Sequence, residues 1–225
     1  MYIEGAEPGD VLVVDIYDVQ VADHGVIATD DHCGPLYQTT DYRSKIIPIE
    51  DGMADFNGVK FPIDPMIGVI GTAPDGEDVI DGFVGAHGGN LDNKLITKGT
   101  RMYFPRARAG ARCCKMGDVH ATMGDAELCG TGHRDRGRDH GEGVAGEGLR
   151  AELARAGDVR PARQVYVNAS AQEFDEALMN VSKEMQRLLM RITGWDAVDT
   201  YMYMSVQSDV ELSQACKPCE VQLSL

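Results

Sequence analysis

One short segment of the chain combines groups that bind metal ions with a backbone that a ligand can approach closely. His87 and Asp92 flank Gly88, Gly89 and Asn90. Imidazole and carboxylate groups are common ligands of divalent ions, and adjacent glycines leave no side chain between the backbone and a bound molecule. The segment therefore predicts a small-molecule site, with Gly88, Gly89 and Asn90 as substrate contacts.

A second polar segment contains Asp118, His120, Gly124, Asp125 and Glu127. In an extended strand, side chains two residues apart point to the same face, so Asp118 and His120 can reach one metal ion. A turn at Gly124 then brings Asp125 and Glu127 into the same neighbourhood. This spacing predicts a metal site that has a carboxylate beside it.

Neutral imidazole and carboxylates suit Zn²⁺ or a similar divalent ion, which lowers the pKa of a bound water to about 7. The resulting hydroxide can attack an amide carbonyl, and Glu127 is the predicted general base that passes the proton to departing ammonia. The competing interpretation is a strand and turn whose polar groups are only hydrogen-bonded or solvated. The sequence contains no HExxH signature that would decide between them.

The cysteines offer weaker candidates for chemistry. Cys216 and Cys219 have CxxC spacing, but a zinc ribbon needs a second such pair. Cys129 lies beside the second polar segment and is a candidate nucleophile, with an inert buried thiol as the alternative. Asp30 to Cys33 fit a solvated turn, because four adjacent side chains cannot all face one ion.

Most of the elements that must position these groups are short strands. Residues 11–19, 45–49, 59–63 and 66–70 are rich in apolar and β-branched residues and are separated by Pro, Asp-Gly and Asn-Gly turn signals. The interval from residue 71 to residue 99 is rich in glycine and aspartate and is predicted to be a functional loop. The close spacing of the four short strands is typical of an all-β body.

Helical periodicity is concentrated near the C-terminus. Apolar residues recur at helical spacing over 172–193, so this segment is predicted to be a helix. Ser170 with Glu173 matches a capping box, and Gly194 is the expected C-terminal cap. A shorter helix is expected over 195–204, followed by a final strand over 221–225.

Two windows depart from this scheme. Residues 106–115 and 133–164 are rich in Arg, Gly, Ala and acidic residues and have neither strand nor helix periodicity. An exposed charged linker and translation in a shifted reading frame are the two interpretations. The expected organisation is a β-rich body over 1–132 with the site motifs, a divergent or disordered window over 133–164, and an α/β part over 165–225.

Composition narrows the classes of partner. The formal net charge is −15, from 36 acidic and 21 basic residues. This charge repels phosphate, so nucleic acid and anionic membranes are not expected as partners. The sequence has no apolar run of the roughly 18 to 20 residues that span a bilayer and does not begin with a signal-peptide pattern, which predicts a cytoplasmic location.

Four ordered motifs are similar to those of the acetamidase/formamidase family. They are EGAEPGDVL at 4–12, PMIGVIGTAP at 65–74, HGGNLD at 87–92 and GDVHATMGDAE at 117–127. The similarity runs from Tyr2 to about Gly132 and continues more loosely to Leu225.

The resemblance implies hydrolysis of formamide, acetamide or related short neutral amides by a mainly β protein. Its expected fold is a β-sandwich or jelly-roll-like body with an additional α/β part that carries a C-terminal helix. The resemblance implies His87, Asp92, Asp118 and His120 as metal residues, with Glu127 as the catalytic residue. Zinc is the expected ion, with calcium as a candidate second ion, and a homo-oligomer is the expected assembly.

The chain also departs from the family's pattern. Family members carry a further β segment before the 4–12 motif, and the two windows at 106–115 and 133–164 replace expected apolar strands. A catalytically degenerate metal-binding β protein of the same family is therefore the alternative prediction. A third prediction is a metal-free β-sandwich that binds a sugar or another small molecule. This third prediction gives the clustered His, Asp and Glu residues no role.

Overall fold

The structure is a computed structural model that describes residues 11–29, 34–74, 78–105, 115–125, 127–129, 132–135, 138–146, 164–214 and 220–224. The strands of its N-terminal part are Val11–Gln20 (β1), His24–Thr29 (β2), Arg43–Glu50 (β3), Met53–Phe56 (β4), Val59–Pro62 (β5), Met66–Gly71 (β6), Gly88–Asn90 (β7), Arg101–Pro105 (β8), Lys115–Thr122 (β9), His133–Asp135 (β10) and Arg138–Gly146 (β11). A 3₁₀ turn covers Tyr37–Thr39. The four strands predicted within residues 11–70 are confirmed to within two residues at each end.

These strands form two antiparallel sheets. One has the order β11-β1-β8, and the other has the order β5-β4-β3-β2-β10-β9-β6-β7. A shared core of buried apolar residues joins the sheets: Leu12, Val14, Ile16 and Val19 from β1, Ile67 and Ile70 from β6, Phe104 from β8, and Val119 from β9. The mainly β class is confirmed, while the jelly-roll detail stays a prediction.

Two tight hairpins join β3, β4 and β5. Asp51 and Gly52 have φ values of 51° and 75°, and Asn57 and Gly58 have φ values of 56° and 86°. Two-residue hairpins favour a positive φ at both turn positions, which explains the Asp-Gly and Asn-Gly pairs in the sequence. These turn signals therefore set the register of this edge of the large sheet.

Part of the divergent window contains regular structure. β10 pairs with β9, and β11 pairs with β1 from Arg138↔Gln20 to Gly146↔Val11. Because backbone groups make this ladder, it does not require the apolar alternation that the window lacks. Residues 106–114 and 147–163 lie outside the described residues.

The C-terminal part is a separate layer of helix on sheet. Its strands are Tyr166–Ser170 (β12), Asp209–Gln214 (β13) and Glu220–Ser224 (β14), in the order β12-β14-β13. Its helices are Phe174–Thr193 (α1) and Ala197–Gln207 (α2). Ala177, Val181, Met185, Leu189 and Met204 form its buried core. Both predicted helices and the final strand are confirmed, although α2 extends to residue 207.

The ends of α1 differ in how well the sequence predicted them. Gly194 adopts φ 76° and its N–H donates to the Met190 carbonyl at 2.9 Å, as expected of a C-terminal cap. The capping box at Ser170 is wrong, because Ser170 ends β12 and Glu173 is the N-cap residue without a side-chain cap. Neither helix in the described ranges is long and apolar enough to cross a membrane.

Candidate metal centre

Three neighbouring strands position the residues of the predicted metal site. β9 pairs with β6, with His120 opposite Met66 and Val119 opposite Ile67, so that Asp118 and His120 lie beside the first half of β6. β7 pairs with the other edge of β6, and Asp92 follows β7 by two residues. The Asp92 N–H donates to the Gly68 carbonyl at 3.0 Å. This hydrogen bond anchors Asp92 against β6. Because β6 also pairs with β9, Asp92 is held close to Asp118 and His120.

Asp92, Asp118 and His120 converge at this point. His120 Nε2 lies 3.6 Å from Asp92 Oδ1 and 3.5 Å from Asp118 Oδ2, and the three ligand atoms all lie within 4.8 Å of one another. Asp92 and His120 are fully buried, whereas the Asp118 side chain is 20% exposed. The group therefore has a closed inner side and one side that is accessible to solvent.

The spacing of these atoms fits a divalent ion. Two ligand atoms that each lie about 2.1 Å from a tetrahedral ion are separated by about 3.4 Å. The measured separations of 3.5 and 3.6 Å are close to this value. In the described part of the chain, neither ring nitrogen of His120 has a hydrogen-bond partner, although both are buried. A buried imidazole needs a partner, and an ion between Nε2 and the two carboxylates would provide one.

Two glycines leave the space that the site occupies. A Cβ atom at Gly68 would clash with Asp92 Oδ1 and lie 3.2 Å from His120 Nε2, and a Cβ at Gly132 would clash with His120 Nδ1. Sequence reasoning assigned neither glycine a role. The signal for Gly68 was its position inside an apolar strand, where glycine often marks a close approach of another group.

The backbone at the site carries a second signature. Asp92, Asp118 and Glu127 have φ values of 42°, 55° and 37°. Among the described residues, the other non-glycine residues with positive φ are Asp51 and Asn57, which lie in the hairpin turns. A sparsely populated conformation of this kind costs about 1–3 kcal/mol and clusters at functional sites. The strain therefore falls on three acidic residues of the candidate site.

Glu127 is linked to this group through a residue from the C-terminal sheet. Its side chain is buried, and its N–H donates to the Gly124 carbonyl at 3.0 Å. Nε2 of Gln214 donates to Asp92 Oδ2 at 2.9 Å and to Glu127 Oε2 at 3.2 Å. Nothing in the sequence singled out Gln214, because it lies 122 residues from Asp92.

The first polar segment has a mainly structural explanation for its glycines. Gly88 and Gly89 adopt φ values of 91° and 100°, and Cβ atoms there would clash with the carbonyls of Ile70 and Phe83. The close approach is therefore to the chain itself. Asn90 is buried, and the roles of Gly88, Gly89 and Asn90 in substrate binding stay predictions.

Two other candidates lie apart from the group of three. The partly buried His87 is not among the residues that converge within 4.8 Å in the described ranges, so its role as a ligand stays a prediction. Asp125 forms an ion pair with Lys94 at 2.7 Å.

The cysteine candidates are only partly described. Cys129 is half-buried, while Cys33, Cys216 and Cys219 lie outside the described residues.

Fold and site together define a two-sheet β protein with a buried Asp/His centre suited to a divalent ion. The family model for the acetamidase/formamidase family matches residues 1–82 and 79–135, which is more than half of the chain. The chain belongs to the acetamidase/formamidase family, which confirms the resemblance seen in its four motifs.

Two solved structures are similar to the whole chain. An acetamidase from Bacillus halodurans is 33% identical with a TM-score of 0.89, and the match covers 100% of this chain and 76% of that protein. A predicted acetamidase/formamidase from Thermoanaerobacter tengcongensis is also 33% identical, with a TM-score of 0.90 and coverage of 100% and 74%. These structures support the mainly β fold.

A curated relative extends well beyond the matched region. The formamidase of Methylophilus methylotrophus is 27% identical over 189 residues, covering 57% of this chain and 46% of that protein. The matched region therefore spans about half the length of this curated relative.

Proposed function

We propose that this chain hydrolyses short aliphatic amides such as formamide and acetamide, releasing ammonia and the carboxylate. The observation that carries the proposal is the convergence of Asp92, Asp118 and His120 at separations that suit a tetrahedral ion. Membership of the acetamidase/formamidase family supports the choice of substrate. The proposed ion is zinc, whose ligand preferences include imidazole and carboxylate.

In the proposed reaction, three residues bind the metal ion and a fourth transfers protons. Asp92, Asp118 and His120 would hold the ion, which would supply a hydroxide nucleophile at neutral pH and Lewis acidity towards the amide carbonyl. Glu127 takes a proton from the attacking water and delivers it to the departing nitrogen. The burial of Asp92 and His120 shields the inner side of the site from bulk water, which strengthens the electrostatic interactions there.

The test is ammonia release from formamide and acetamide by the purified chain, with and without a chelator. We expect release that the chelator abolishes and that added zinc restores. His120→Ala should lose this activity, while His24→Ala is the matched control because His24 is exposed and pairs with Asp23. A folded, zinc-loaded chain without turnover would replace the proposal with the catalytically degenerate metal-binding protein.

His87→Ala tests the proposed additional ligand in the same assay. If His87 completes the ion site, the variant will require more zinc for half-maximal activity than the wild type. An unchanged zinc requirement with a raised KM would instead assign His87 to the substrate.

We also propose that the chain forms a homo-oligomer. The supporting observation is the exposed apolar surface of α2 and the loop before it, which includes Trp195, Val198, Tyr201, Met202 and Val206. Exposed patches of this kind mark interaction sites. Light scattering coupled to gel filtration tests the proposal, and a monomeric mass would reject it. The cytoplasmic location and the lack of nucleic-acid and membrane partners stay predictions from composition.

A further inference from the structure

Gln214 is a fully buried polar residue at the end of β13, in the C-terminal sheet. The carboxylates that it contacts lie in the other part of the molecule, after β7 and after β9. A carboxamide loses hydration when it is buried, so its hydrogen bonds must compensate for that loss. The position therefore demands specific partners.

Both partners of Gln214 are acidic residues of the proposed active site. A carboxamide nitrogen carries two N–H groups, and Nε2 of Gln214 contacts Asp92 Oδ2 at 2.9 Å and Glu127 Oε2 at 3.2 Å. Asp92 Oδ1, the other oxygen, faces His120 Nε2 at 3.6 Å. The contact thus determines which oxygen of Asp92 is turned towards the ion position.

A neutral donor is suited to this task for an electrostatic reason. Asp92 and Glu127 are buried carboxylates joined through one side chain, and their negative charges repel each other. A lysine or arginine would neutralise them and compete with a cation. The carboxamide donates hydrogen bonds without adding charge, so both carboxylates keep their attraction for a divalent ion.

We propose that Gln214 is a positioning residue, which orients Asp92 towards the metal ion and fixes Glu127 beside it. The inference rests on the proposed amidase function and adds a requirement for the C-terminal part of the chain. Hydrogen-bond partners of metal ligands typically contribute 10- to 100-fold in metal affinity or activity. Gln214 should have an effect of this size without touching the ion itself.

The experiment compares Gln214→Met, Ser213→Ala and the wild type. Methionine keeps the length of the glutamine side chain but removes both donors. Ser213 is the matched control, because it is buried on the same strand and its hydroxyl has no hydrogen-bond partner within the described residues. The measurements are the zinc Kd by competition with a chromophoric chelator, the unfolding midpoint of the metal-free protein, and kcat and KM for acetamide.

We expect Gln214→Met to raise the zinc Kd by about 10- to 100-fold and to lower kcat more than it raises KM, while Ser213→Ala leaves all three values unchanged. A variant with a lower unfolding midpoint but the wild-type zinc Kd and kcat would show a merely structural residue and overturn the inference. If Gln214→Met does not fold, Gln214→Asn, which retains the amide on a shorter side chain, must show the same weakened zinc binding.

The wild-type results separate this inference from the proposed function. A wild type that binds zinc and releases ammonia, beside an equally competent Gln214→Met variant, overturns only the role of Gln214. A wild type that binds zinc but releases no ammonia overturns the amidase function, while weaker zinc binding by the variant would still support the positioning of Asp92. A wild type that binds no zinc overturns both.

Discussion

The β3–β5 hairpins and the candidate metal centre both contain non-glycine residues in the left-handed backbone conformation. In the hairpins, Asp51 and Asn57 are exposed and precede glycines, so the turn type itself requires positive φ. At the centre, Asp92 and Glu127 are buried, and no two-residue hairpin accounts for their conformation. The same positive φ therefore forms tight turns in the hairpins, whereas at the metal centre it places carboxylate side chains.

The largest expected effect comes from removing a ligand charge at the centre. Asp92→Asn keeps the shape of the side chain and a hydrogen-bonding group next to Gln214, but it removes the negative charge that attracts the ion. Loss of the ion removes several kcal/mol of transition-state stabilisation, so we expect kcat/KM for acetamide to fall by about 10³-fold.

The matched control for Asp92→Asn is Asp51→Asn, which makes the same change in the hairpin. It should leave turnover and zinc content at wild-type values. Equal loss of activity in both variants would contradict the contrast between the two regions.

An intermediate effect is expected at Gly68, whose lack of a side chain keeps the centre open. In Gly68→Ala the new methyl group would press on Asp92 Oδ1 and His120 Nε2. Such overpacking costs about 1–3 kcal/mol. Zinc affinity, measured by chelator competition, should fall by about 10-fold or more.

Gly117→Ala is the control for the methyl group, because a Cβ at Gly117 meets no atom within 4 Å. Both glycines lie in strands that line the centre. Wild-type zinc affinity in Gly68→Ala would mean that the ion does not bind at this position.

The smallest expected effect lies in the hairpin. Asp51→Ala places a residue that tolerates positive φ poorly into the turn, which should lower the free energy of unfolding by about 1 kcal/mol. Zinc affinity and kcat should not change, because the turn is remote from the ligands along the large sheet. Urea denaturation of Asp51→Ala and Asp51→Gly measures the effect, and glycine should restore the lost stability.

The sequence predicted those features that depend on short-range patterns. The strands β1 and β6 follow from short apolar and β-branched runs between turn signals, and the helix α1 follows from its apolar periodicity. The spacing of two between Asp118 and His120 predicted that they could reach one ion. Asp92 joins them only because β6 pairs with both β7 and β9, and strand order is not visible in a single sequence.

The residues that the sequence missed act through long-range contacts. Gly68 is important because a Cβ atom there would clash with Asp92. Gln214 is important because β13 places it in contact with Asp92, although the two residues are 122 positions apart in the sequence. The capping box at Ser170 failed for the related reason that strand pairing with β14 extends β12 through Ser170. Tertiary contacts decided each of these cases.

The left-handed carboxylates also affect how this protein can be redesigned. Stability-guided engineering can replace a residue whose type disagrees with its backbone, and glycine and asparagine are types that tolerate positive φ. Of the five non-glycine positions with positive φ in the described ranges, three are Asp92, Asp118 and Glu127. An unconstrained redesign would therefore select the proposed active site for replacement. A heat-stable version that keeps its chemistry has to hold these three residues fixed and take its gains elsewhere.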